Sequence, residues 1–176
     1  MNLKSIFRNL SYTFSVNFLS LFISSITTLL LPKFISVANY GYWQLYIFYA
    51  SYVGLLHFGV VDGVYLELGG DRFEDIDKGK YSNLFLVILF QQLSFCILIF
   101  FLYGLIGEQD KVFIVNATLV CMVISNLRLF LIYIFQATNK IKEYVVTIVI
   151  EKLAYLVLLF VAIFAHLYSY MFLIMM

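Results

Sequence analysis

The side chains able to do chemistry in this chain are few, and most of them sit inside apolar runs. Thr118, Cys121, Ser125 and Arg128 follow one another at steps of three, four and three, which puts a guanidinium and two hydroxyls on one helix face. An arginine at membrane depth costs roughly 2.5–3.5 kcal/mol on insertion scales, so it faces a bundle interior, a partner or a wet cavity. Glu151 reaches a similar depth in the next run, about seven residues from the same side as against about eight for Arg128, so a salt bridge between the two is geometrically reasonable. The alternative is that Arg128 offers its planar five-donor fork to an anionic substrate group such as a phosphate. Lys152 adjoins Glu151 and points about 100° away around the helix, so it is expected to snorkel toward the headgroups or to join the same polar cluster.

The first apolar run carries its own stripe. Asn17, Ser20, Ser24 and Thr27, with Thr28 beside them, recur every three to four residues. The series Ser20, Ser24, Thr28 suits close helix packing, and the same face suits the wall of an aqueous cavity. His57 and Asp62 lie in Gly54-Leu55-Leu56-His57-Phe58-Gly59-Val60-Val61-Asp62-Gly63, where the glycines allow a neighbouring helix to come close. A membrane histidine is either a satisfied packing residue or a proton carrier, and Asp62 is either solvated at the interface or functional. Gln91 and Gln92 are expected to hydrogen-bond between helices. No GxGxxG, GxxxxGK[ST], HExxH or CxxC occurs, and two histidines with two cysteines inside apolar runs make no convincing metal site, so neither a metal nor another cofactor is expected. Asn116-Ala117-Thr118 matches a glycosylation sequon inside a span, where it is unusable.

The elements that must position these residues follow from composition. Of the 176 residues 64% are hydrophobic and 12% charged, against about 45–50% and about 25% in a soluble domain. The formal charge of +1 gives no reason to expect nucleic acid as a partner, and Cys96 and Cys121 act as small hydrophobes rather than as a disulfide framework. What remains is an all-α, polytopic transmembrane helix bundle with the lipid bilayer as its surroundings. Runs of about 20 apolar residues place spans near 12–31, 42–61, 83–105, 112–135 and 144–165, with a partial sixth at 168–176. The one proline, Pro32, lies outside them, so each span is expected to be uninterrupted.

The first run is long for a signal-peptide core and lacks a small-residue cleavage site, so it is expected to be retained as an anchor. Alternate loops collect Lys4, Arg8, Arg72, Lys78, Lys80, Lys140 and Lys142 on one side and Lys33 and Lys111 on the other, which predicts a cytoplasmic N-terminus. The loop from Glu67 to Lys80 carries both signs of charge and is expected to be a solvated connector. No linker divides residues 1–176, so one transmembrane domain, or part of one, is expected; the apolar ending suggests an N-terminal piece of a longer protein.

Tyr40-Gly41-Tyr42-Trp43 at the entry to the second run, and Phe58-Gly59-Val60-Val61-Asp62-Gly63 at its exit, resemble the N-terminal part of bacterial polysaccharide biosynthesis flippases, the Wzx-like O-antigen translocases. The likeness is strongest over about residues 12 to 70, with Phe58 where leucine is commoner. It implies membership in the superfamily of multidrug, oligosaccharidyl-lipid and polysaccharide exporters, built from two six-helix lobes around a cavity. This chain would supply five helices and part of the sixth of the N-terminal lobe, and alone, without the missing C-terminal helices or second lobe, it would be inactive. The implied activity is transport rather than enzymatic: flipping undecaprenyl-diphosphate-linked oligosaccharide across the bacterial cytoplasmic membrane for lipopolysaccharide biosynthesis. Arg128 is then the cavity cation for the headgroup, Lys152, Asn17 and Ser24 are weaker cavity candidates, and Asp62 or Glu151 would couple an ion gradient, with His57 beside them as an ion-pair candidate.

Other classes compete. A drug or cation exporter of the same superfamily needs cavity carboxylates more than cations. An integral-membrane polymerase or acyltransferase of envelope assembly needs catalytic groups in loops, and the external loops offer only Lys33, Glu108, Asp110, Lys111 and His166. A structural membrane subunit would use the unfinished sixth helix as an interface.

Overall fold

A computed structural model describes residues 3–105, 109–167 and 169–176. Helix accounts for 86% of the described residues, and among them there is no strand. Among the described residues seven α-helices occur in order: α1 Leu3–Leu30, α2 Val37–Ala50, α3 Val60–Glu67, α4 Lys78–Gly104, α5 Gln109–Ala137, α6 Ile141–Phe164 and α7 Tyr170–Met175. Four of them are long and apolar enough to cross a membrane, and the bent pair formed by Val37–His57 and Val60–Glu67 brings the number to five. The chain is a multi-pass membrane protein. Tyr168, the expected start of the sixth run, and Glu108 lie outside the described residues.

The long helices extend beyond the apolar runs, because charged residues are good helix formers at ends that reach water. Thus α4 starts at Lys78 rather than near 83, with Asp77 as its N-cap: the Asp77 carboxylate accepts from the Lys80 amide at 3.1 Å. At the other extreme, α1 stops at Leu30 because Pro32 sits in the first turn of a short 3-10 segment, Leu31–Lys33.

The second span departs from expectation. Instead of one helix over 42–61, α2 ends at Ala50, a 3-10 turn covers Val53–His57, and α3 restarts at Val60 with a bend of 58°. Phe58 and Gly59 between them take positive φ values of 49° and 76°. Glycine occupies that region freely, whereas a bulky residue such as Phe58 is strained there.

The helices gather into two compact units. The first comprises residues 1–41 and 140–176, where α1 packs along α6 and α7 folds back on α6. Val16, Ile23 and Thr27 form the buried stripe of α1, and Tyr144, Ile148, Leu159 and Ala162 that of α6. The Tyr155 hydroxyl of α6 is hydrogen-bonded to Thr27.

The second unit comprises residues 42–139. Here α5 is the central element, packed against α4, α3 and the 3-10 turn. One cluster joins Val61 and Val64 of α3, and Leu68 just after it, to Tyr81 and Ile88 of α4 and Phe130 of α5, with the Phe85 and Phe130 rings 5.7 Å apart. A second joins Val53 to Leu119 and Met122. Between lipid-bathed helices such interdigitation, rather than escape from water, supplies the attraction.

The charged connector from Glu67 to Lys80 is only partly a solvated strap. Lys80 pairs with Glu67 across it, and Phe73 turns inward so that its ring lies 6.2 Å from that of Phe135.

Candidate functional site: a broken helix held by buried amides

Breaking a helix at membrane depth frees backbone groups that water cannot reach, and each one left alone costs several kcal/mol. In the second unit side-chain amides meet this demand. Gln92 of α4 donates from Nε2 to the Leu56 carbonyl at 3.0 Å, and Gln91 approaches the same oxygen at 3.4 Å. Asn126 of α5 donates from Nδ2 to the Val53 carbonyl at 3.1 Å and to Gln92 Oε1 at 2.9 Å. Gln92 and Asn126 are 0% and 1% exposed. Gln92 lies about 21 Å along α4 from Lys78 and about 18 Å from Gly104, so the network sits at mid-span.

The orientation of the Asn126 amide is fixed by its neighbours: both of its bonds are donations, and a flipped amide would set its oxygen against two acceptors. Its Oδ1 is consequently left buried without a hydrogen-bond partner. Beside the break, a groove of about 300 Å³ is walled by Tyr49, Tyr52, Leu56, Ile99 and Met122, giving this part of the unit an apolar recess.

His57 and Asp62 come together at the same break. The Gly59 amide donates to His57 Nδ1 at 3.1 Å, and His57 Nε2 stands 3.8 Å from Asp62 Oδ2. His57 is buried and the Asp62 side chain is 56% exposed, so the pair runs from the interior to the surface of the unit.

The face predicted on α5 is present as a row of half-buried residues, Thr118, Cys121, Ser125 and Arg128. Thr118 donates to the Ile114 carbonyl at 2.8 Å, and the Cys121 sulfur lies 3.5 Å from the Ser125 hydroxyl. The Tyr46 hydroxyl of α2 is hydrogen-bonded to Cys121, which extends this polar row to a second helix.

Of the other sequence candidates, Asn17, Ser24, Glu151 and Lys152 belong to the first unit and Arg128 to the second. Asn17 and Ser24 are exposed on α1, while Glu151 and Lys152 are half-buried on α6. Lys152 Nζ lies 3.8 Å from Glu151 Oε1. Both side chains are partly exposed, so the pair lies beside solvent rather than sealed in the unit. Ser20, Thr27 and Thr28 return their hydroxyls to carbonyls four residues back, each at 2.9 Å.

Sequence reasoning found Gln91 and Gln92 but passed over Asn126, which stands one position off the Ser125–Arg128 face. Its signal was a second amide residue near mid-span in the helix that follows Gln92. Among the described residues no group of three or more His, Cys, Asp or Glu could hold a metal ion. No family model matches the sequence, and no match was found among curated proteins or solved structures.

Proposed function

We propose that the chain belongs to a flippase that carries undecaprenyl-diphosphate-linked oligosaccharide across the bacterial cytoplasmic membrane, with its N-terminus in the cytoplasm, and that it acts as a transporter rather than an enzyme. The observation that carries this reading is the second span, interrupted at mid-depth and held open by amides. Discontinuous helices whose unwound backbone is satisfied by protein groups are a recurrent device of transporters, where substrate passes near the bilayer midplane. A half-buried arginine on a neighbouring polar face adds support, since a guanidinium matches the paired oxygens of a diphosphate. The resemblance of Tyr40–Trp43 and Phe58–Gly63 to Wzx-like sequences names the substrate class.

The test is binding of a fluorescent polyprenyl-diphosphate disaccharide to the protein in lipid nanodiscs, with the matching neutral polyprenol as control. Preferential binding of the diphosphate is expected, weakened about tenfold or more by Arg128→Ala and less by Arg128→Lys. Equal binding of the two lipids, or an Arg128→Ala protein that binds like the parent, overturns the assignment.

A further inference from the structure

The break in the second span is closed by an imidazole. Gly59 is the N-cap residue of α3, and the first amides of a helix have no acceptor inside it. At Gly59 the acceptor is the ring nitrogen of a residue two positions upstream, His57 Nδ1 at 3.1 Å. A nitrogen that accepts carries no proton, so neutral His57 is held in the tautomer with its hydrogen on Nε2. That hydrogen is on the side of Asp62, whose carboxylate oxygen is 3.8 Å away and whose side chain is largely exposed.

We propose that His57 Nδ1 is a proton-binding site whose occupancy releases the Gly59 cap of α3. A proton delivered from water turns Nδ1 from acceptor into donor, and the new N–H then faces the Gly59 N–H. The capping bond is lost, and the imidazolium, repelled by the N-terminus of α3, is held by the Asp62 carboxylate. The charged group facing the ring from α3 is Asp62. From α4 and α5, Gln91, Gln92 and Asn126 hold the same turn and none of them titrates, so the change in charge falls on the His57–Asp62 pair. Phe58, at φ 49°, is kept in its strained conformation by the bonds on either side of it, and loss of the cap removes one of those restraints. Proton uptake therefore changes the bend between the 3-10 turn and α3 while the amide network below it stays in place.

The test uses the whole chain in lipid nanodiscs with 15N-labelled histidine; the two histidines, His57 and His166, are told apart with His166→Ala. As the pH is lowered from about 8 to about 5, the 15N signal of His57 Nδ1 is expected to pass from that of a bare nitrogen to that of a protonated one. Over the same interval, exchange of the Gly59 amide, corrected for its intrinsic pH dependence, is expected to accelerate about tenfold while amides around Gln92 remain protected. His57→Asn, which offers an amide oxygen close to the place of Nδ1, should keep Gly59 protected at both ends of the range. His57→Ala should leave Gly59 unprotected at both, with protection around Gln92 reporting that the unit is folded. A Gly59 amide whose protection ignores pH, an Nδ1 already protonated at the alkaline end or still bare at the acid end, or a His57→Asn protein with the parent's pH response would each overturn the proposal.

Discussion

Helix α1 and the broken second span handle polar side chains in opposite ways. In α1 the hydroxyls of Ser20, Thr27 and Thr28 fold back onto carbonyls of their own helix. The helix stays whole over 28 residues, because its backbone ladder is complete and the hydroxyls only share acceptors already in use. In the second unit the ladder is interrupted, and the amides of Gln92 and Asn126 cross between helices to the carbonyls of Leu56 and Val53. The back-bonded hydroxyls of α1 therefore leave its ladder unchanged, while the amides of Gln92 and Asn126 are structural members of the break they cross to.

That contrast breaks first at Gln92. Gln92→Leu removes the donor to Leu56 and the acceptor for Asn126 together, and is expected to lower stability by about 3 kcal/mol, measured by unfolding in mixed micelles. Asn126→Leu should lose less, about 1–2 kcal/mol, since the orphaned Oδ1 disappears along with the two donations. The double variant should then fall short of the sum by about 1 kcal/mol, because the Gln92–Asn126 bond is counted in both single changes. Strict additivity would mean the two amides act independently. Gly59→Ala meets no atom within 4 Å but must hold φ at +76°, so about 1 kcal/mol is expected from backbone strain alone. At the small end, Thr28→Val in α1 should change stability by no more than about 0.5 kcal/mol. A loss there as large as that at Asn126 would erase the distinction between the units.

Much of this architecture was legible from hydropathy, since runs of about 20 apolar residues need no tertiary information to be recognised as spans. The polar face of α5 was legible for the same reason: Thr118, Cys121, Ser125 and Arg128 keep helical period. The break was not, because residues 42–61 remain predominantly apolar, without a formal charge or a proline, and Gly54 and Gly59 are tolerated in a membrane helix as often as they interrupt one. What decides the matter lies elsewhere in the chain, in whether later helices bring donors to the freed carbonyls.

The broken span also constrains how the chain enters the membrane. At 1.5 Å per residue, α2 and α3 extend about 21 Å and about 12 Å, and neither alone matches about 30 Å of hydrocarbon. The donors that make their junction tolerable are synthesised late: Gln92 is 36 residues after Leu56, and Asn126 is 73 residues after Val53. A nascent chain stopped before Gln92 is expected to leave the second segment outside the lipid core, and one extended past Asn126 to pull it in, a difference readable as force on chains arrested at increasing lengths. The ribosome thus delivers a transmembrane segment before its licence to partition, and α2 and α3 must wait at the translocon or the interface until α4 and α5 arrive.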